Sequence, residues 1–259
     1  MAERTTDART VVLPAANDGE LHGDYAAGAG AARDFAVLWV HGFGSHRGGE
    51  KAAAVRAECG RRGWAFAAFD FRAHGASPGN TIDLTATGLL DDLGVVAAFL
   101  AGAGHTRLGL VGSSMGGFAA AWYATRHAAA VVGCVLLAPA FGFIPRRWDR
   151  LSKAEREDWK RTGRLRIKNK WIDTEIGYAL VEERDRFRPA DAAARWKAPA
   201  LVFHGVADDT VPYAGTLDFL RDAAGSAVEV RLFKDGDHRL PACKDEIAAE
   251  AGRFFARLM

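Results

Sequence analysis

Leu108-Gly109-Leu110-Val111-Gly112-Ser113-Ser114-Met115-Gly116-Gly117 decides how the rest of the chain is read. An apolar run of strand length meets Gly-x-Ser-x-Gly, and the residues from Phe118 to His127 have a helical composition. That order predicts a strand, a sharp turn and a helix, which is what a nucleophile elbow requires. The turn holds the serine in a strained backbone conformation, so the flanking positions Gly112 and Gly116 must be small. Of the two adjacent serines, only Ser114 has a glycine two residues away on each side. Its hydroxyl would stand at a strand end, and the next N–H, that of Met115, would open a helix where it can face an oxyanion.

Outward from the elbow, the pattern predicts alternating strands and helices. Residues 10–13 and 20–26 read as two edge strands joined by a turn at Asn17-Asp18-Gly19. The largely apolar runs 35–40, 64–71, 130–137 and 200–204 read as strands, most of them buried on both faces, and 228–233 reads as a further strand. Helices are expected at 49–62, 85–100, 214–224 and 244–258. Such alternation implies βαβ units and a mostly parallel sheet.

Composition shifts at Ala138-Pro139. From Phe141 to Arg188 there is no strand-like run, while Trp148, Trp159, Trp171 and Trp196 lie within or near this segment. Ser152 and Glu155 have capping-box spacing at the head of a helical stretch. Residues 141–189 are therefore expected to be a helical lid over the carboxyl edge of the sheet, with 1–140 and 190–259 forming the core. Phe141 to Lys170 carries 11 Lys or Arg against 4 Asp or Glu. That charge run reads first as a solvated face; the sharper expectation is that some cations, Arg146 and Arg147 foremost, favour anionic substrates.

A serine hydroxyl needs a base, and the base needs an orienting acid. With an elbow of this kind they follow in the order Ser, acid, His. The acid is expected after the strand ending at His204, where Asp208 and Asp209 both stand; Asp208 is favoured and Asp209 read as its loop neighbour. His238 is expected to be the base, since it alone of the eight histidines follows the last strand. The loop after 35–40 should supply a second oxyanion donor, the N–H of Phe43. His41, His204, His74 and Ser77 read as structural hydrogen-bonding residues.

These motifs resemble the α/β-hydrolase superfamily over nearly the whole chain: His41-Gly42-Phe43-Gly44, Asp70 to Ser77, Gly112 to Gly116, His204 to Asp208, and His238. Gly49-Glu50-Lys51, Gly112 to Gly117, Asp208-Asp209 with Val211-Pro212, and Asp237-His238-Arg239 look more narrowly like bacterial relatives of the mitochondrial abhydrolase that removes S-palmitoyl groups and cleaves acyl glucuronides. The resemblance implies Ser114 as nucleophile, Asp208 and His238 as its partners, and Phe43 and Met115 as oxyanion donors. It implies no metal or organic cofactor, and small-molecule or acylated-protein esters and thioesters as substrates. A serine exopeptidase is the alternative enzyme, and a non-catalytic binding protein on the same fold the alternative from another class.

The remaining features set limits. A net charge of +2 gives no bulk attraction to nucleic acid. Cys59, Cys134 and Cys243 are odd in number and widely spaced, so neither a disulfide framework nor a zinc site is expected. No stretch reaches the length of a membrane span, and the first residues lack a signal-like apolar region, so a cytoplasmic protein is expected.

Overall fold

The computed structural model describes residues 8–16, 19–168, 172–224 and 227–259. Strand β1 (Arg9–Pro14) pairs antiparallel with β2 (Glu20–Ala26). Asn17 and Asp18 of the expected turn lie outside the described residues. Strand β3 (Phe35–Val40), helix α1 (Glu50–Arg62), strand β4 (Ala65–Phe69), helix α2 (Ala86–Gly102), strand β5 (Arg107–Ser113), helix α3 (Met115–Arg126) and strand β6 (Val131–Leu137) follow in alternation.

Beyond β6 the chain leaves the sheet through α4 (Pro145–Asp149), α5 (Lys153–Thr162), β7 (Arg164–Lys168), β8 (Asp173–Gly177), α6 (Ala179–Glu182) and α7 (Pro189–Ala194). It returns with β9 (Ala200–Gly205), α8 (Ala214–Asp222), β10 (Val228–Phe233) and α9 (Lys244–Ala256). The eight-stranded sheet has the order β1-β2-β4-β3-β5-β6-β9-β10, antiparallel at the first two pairings and parallel from β4 onward.

Successive side chains of a strand point to opposite faces, and both faces here are covered. Leu38, Leu110 and Leu136 join Leu89 and Leu93 of α2, Phe118 and Trp122 of α3, and Phe219 of α8. Trp39, Val111 and Val135 turn the other way, onto Val55 and Cys59 of α1 and Phe254 and Phe255 of α9. Each fully buried side chain of this size contributes roughly 1.5–3 kcal/mol by leaving water. Double coverage is why the central strands read as unbroken apolar runs. No helix among the described residues is long and apolar enough to cross a membrane.

One expectation is overturned. The segment after β6 is not wholly helical, because β7 and β8 form an antiparallel hairpin. Arg164, Arg166 and Lys168 face solvent while Leu165 and Ile167 turn inward, a period-two pattern that its charges hide. The hairpin is latched to the core: Thr81 Oγ1 lies 2.9 Å from Thr174 Oγ1 and donates to the Glu175 carbonyl at 2.7 Å. The carboxylate of Glu183 accepts from the Thr87 N–H at 3.0 Å in the first turn of α2, where the helix dipole favours negative charge. Ser152 and Glu155 do form the capping box that opens α5. Trp159 is fully buried, with Tyr178 edge-on at 5.9 Å; Lys170 and Trp171 lie outside the described residues.

Candidate active site

Strand register brings the site together. Val40 pairs with Gly112 across β3 and β5, so the loop His41-Gly42-Phe43 lies beside the elbow at the same sheet edge. Leu137 pairs with Phe203, and Gly205 with Phe233, which carries the loops after β9 and β10 to that edge.

Ser114 has φ 55° and ψ −115°, a positive φ that a side chain rarely adopts. It is held there by its N–H to the Leu137 carbonyl at 2.9 Å, and by its own carbonyl accepting from Ala140 at 3.0 Å and Phe118 at 3.1 Å. The glycines are a requirement of close approach. A Cβ on Gly116 would fall 2.1 Å from the Val40 carbonyl oxygen, and one on Gly112 would fall 2.5 Å from that of Gly116.

Ser114 Oγ lies 3.0 Å from His238 Nε2, and His238 Nδ1 lies 2.7 Å from Asp208 Oδ2. Burial opposes ionisation of Asp208, but hydrogen bonds from His204, His238 and the Val211 N–H hold its carboxyl below the usual carboxylate range. An ionised carboxylate only accepts, so Nδ1 of His238 carries the proton and donates. Nε2 then presents its lone pair to the Ser114 hydroxyl. Oδ1 of Asp208 accepts from the N–H groups of Thr210 at 2.9 Å and Val211 at 2.8 Å. Asp209 is exposed, and its Oδ1 accepts from the Thr210 hydroxyl at 3.1 Å. Of the two aspartates left open by the sequence, Asp208 meets His238.

His204 completes the set of donors around Asp208. Its Nε2 lies 2.9 Å from the Val211 carbonyl and 3.2 Å from Asp208 Oδ2. Both partners accept, so Nε2–H is the donor and Nδ1 accepts from the Thr216 hydroxyl at 2.8 Å. The residues expected to supply the oxyanion donors flank Ser114. Met115 opens α3 directly after Ser114, and Phe43 follows Gly42, where a Cβ would lie 3.2 Å from that of Ser114. Among the described residues, neither N–H donates to a protein acceptor. No group of three His, Cys, Asp or Glu side chains among the described residues is gathered to hold a metal ion.

The serine aminopeptidase S33 pattern (Hydrolase_4) matches residues 31–242. The chain belongs to this α/β-hydrolase family. The mitochondrial palmitoyl-protein thioesterase ABHD10 of Bos taurus is 26% identical over 207 residues, 79% of this chain and 67% of its own length. The solved mouse alpha/beta hydrolase domain-containing protein 10 superposes with a TM-score of 0.84 at 22% identity, covering 97% of this chain and all (100%) of that one. Est1E from Butyrivibrio proteoclasticus with ferulic acid bound superposes with a TM-score of 0.79 at 18% identity, covering 96% and 99% of the two chains. The last two likenesses speak to the α/β-hydrolase fold.

Within this hydrolase fold, the residues read as structural serve that purpose. Ser77 Oγ donates to the Asp70 carbonyl at 2.7 Å and accepts from the His22 N–H at 2.9 Å. His74 Nδ1–H donates to the Arg72 carbonyl at 3.0 Å. Wholly buried Asp70 accepts from the Arg47 N–H at 2.6 Å, from its guanidinium, and from the Ala76 N–H at 2.9 Å, which ties the Phe43 loop to the loop after β4.

Lys51 was read only as part of a motif. Its Nζ donates to the Arg239 carbonyl at 2.8 Å and lies 3.4 Å from Ser113 Oγ, so it joins the base loop to the elbow. Burial and the Arg239 charge push it down to about 8. A lysine one residue inside α1 gives no sequence signal of a partner 188 positions away.

His41 Nδ1–H donates to the Gly42 carbonyl at 2.8 Å, and Nε2 accepts from the Phe71 N–H at 3.0 Å. Burial and the neighbouring His74 push it from 6.5 down to about 4. The unfolded imidazole takes a proton near 6.5 and the folded one only near 4, so the unfolded state binds more protons in that window. Stability is expected to rise with pH across that window and to be lost as pH falls through it, by up to about 1.4 kcal/mol per pH unit from this group. Urea unfolding between pH 7 and 4.5 measures it. His41→Gln, which can still donate and accept, should give the shallower slope; equal slopes would assign the acid sensitivity elsewhere.

Proposed function

We propose that the chain is a serine hydrolase of carboxylic esters and thioesters that works through an acyl-enzyme on Ser114. The observation that carries this reading is the unbroken hydrogen-bonded chain from Ser114 Oγ through His238 to Asp208. Ser114 Oγ attacks the acyl carbonyl carbon as its proton passes to His238 Nε2. The tetrahedral oxyanion is held by the N–H groups of Phe43 and Met115, donors fixed before the charge develops. Collapse expels the alcohol or thiol, which takes the proton from His238. A water molecule then repeats the sequence on the acyl-enzyme and frees the acid. Asp208 stays ionised and stabilises the imidazolium formed in each half-reaction. The thioester part of the reading draws support from the name of the ABHD10 relatives, palmitoyl-protein thioesterase.

The family description keeps a second reading in view, an aminopeptidase. Recognition of a substrate amine needs a free carboxylate over the site. Most of the described carboxylates of the insertion are engaged, among them Asp173 with Arg166, Glu175 with Arg164, Asp158 with Arg161, and Glu183 with Thr87. That favours acyl esters over aminoacyl amides. A fluorophosphonate probe is expected to label the protein at Ser114, and a panel of acyl esters, acyl thioesters and aminoacyl amides to be hydrolysed in the first two classes. Turnover of the aminoacyl amides alone would replace this reading with the second, and absence of labelling and of all turnover would remove both.

A further inference from the structure

The sequence places a crowd of cations after β6, and the structure sorts them. Five of them are surface charges paired with carboxylates: Lys153 faces Glu157 at 3.8 Å, Arg166 holds Asp173 at 2.8 Å and Lys168 lies 3.7 Å from the same Asp173, Arg164 lies 3.5 Å from Glu175, and Arg161 pairs with Asp158. These are solvated pairs of little consequence for a ligand. Arg147 on α4 differs. Its guanidinium lies 5.6 Å from the ring centre of Phe43 and 5.1 Å from that of Phe143, so the two rings hold it against the loop of the expected oxyanion donor. Its Nε is buried without a hydrogen-bond partner, and among the described residues no carboxylate or carbonyl meets any part of its head.

Neither Nη atom is buried without a partner, so the end of the fork stays reachable past its aromatic clamp. Burial and the Arg150 charge push this guanidinium down only to about 10, which leaves it cationic at neutral pH. A half-buried cation that no protein anion compensates is costly, and aromatic faces do not neutralise it. A ligand anion would. Arginine is also the side chain whose fork matches a carboxylate or phosphate in two hydrogen bonds.

We propose that Arg147 is an anion-binding subsite of the ester-cleaving centre, which pairs with a carboxylate or phosphate carried by the substrate one aromatic side chain away from the scissile bond. The proposal rests on the hydrolase reading above and adds to it the substrate class, anionic esters. The anion could belong to the acyl group or to the leaving group, and matched substrates separate these sources. Phenyl butyrate and the butyrate ester of 3-hydroxybenzoate differ by an anion on the leaving group. Phenyl butyrate and monophenyl glutarate differ by an anion on the acyl chain.

The measured quantity is the ratio of kcat/KM for the anionic over the neutral ester. Arg147→Gln is expected to lower that ratio about tenfold or more in one of the two series, as loss of a two-bond charge pair should. Arg147→Lys should fall between, since it keeps the charge and loses the fork. Lys160→Gln removes an equal charge from an exposed position of α5 and is expected to leave the ratio as it is. Equal falls for Arg147→Gln and Lys160→Gln would overturn the subsite in favour of a diffuse field, and unchanged ratios in all variants would overturn it outright. Hydrolysis of none of the esters by the unaltered protein would overturn the hydrolase reading and the subsite together.

Discussion

Ser114→Ala is expected to lower kcat for ester hydrolysis by about four to six orders of magnitude, with a residual rate still above that of water. Among the described residues, Ser114 supplies the only hydroxyl that meets His238 Nε2, and the substitution removes the atom to be acylated. The proposed oxyanion donors are backbone N–H groups and would survive the change, which is the expected source of the residual activity. Alanine also inherits the positive φ of 55° without a hydroxyl, so a modest loss of stability should accompany the loss of rate. Progress curves at high enzyme concentration, with thermal unfolding alongside, separate the two effects. Full activity in this variant would overturn the mechanism.

Asp208→Asn is expected to cost about 10⁴ in kcat. The carboxylate accepts from four donors: the N–H groups of Thr210 and Val211 on one oxygen, and the imidazoles of His238 and His204 on the other. An amide turned with its NH₂ toward His238 forces Nδ1 to accept, so the proton moves to Nε2 and points at the Ser114 hydroxyl. The same NH₂ also meets the Nε2–H of His204, donor against donor. Turned the other way, it confronts the two backbone N–H groups. Either orientation strands a buried donor, which adds a stability loss of about 1–3 kcal/mol. Asp209→Asn changes an exposed residue whose carboxylate, among the described residues, hydrogen-bonds only to Thr210, and should stay within about twofold of the unaltered enzyme. A more severe effect at Asp209 than at Asp208 would reassign the acid.

The contrast between these aspartates shows where sequence reading stops. Gly112, Ser114 and Gly116 are legible because backbone atoms approach where a Cβ would collide, a constraint that leaves glycine at fixed spacing. The strands flanked on both faces are legible as apolar runs for a similar reason: every position answers to burial. Asp208 and Asp209 are identical side chains one residue apart. Which one turns inward depends on the path of the loop after β9 and on His204 beneath it, neither of which has a local signature. The hairpin β7–β8 escaped for another reason. Its inward residues Leu165 and Ile167 are only half-buried, and the arginines between them dominate its composition. Lys51 and Arg147 carry meaning only through partners distant in sequence or through the lack of one, and no spacing encodes either.

The contact between Lys51 and the Arg239 carbonyl also joins parts of the chain that are made far apart in time. A ribosome delivers Ser114 midway, the loop of Asp208 much later and His238 near the end, in the loop after the strand that forms the outer edge of the sheet. Until β10 has paired with β9, Ser114 lacks the His238 imidazole that its hydroxyl meets in the folded chain. On the proposed mechanism, a chain still being made therefore carries its nucleophile without its base, and the two are joined only when segments distant in the sequence have met.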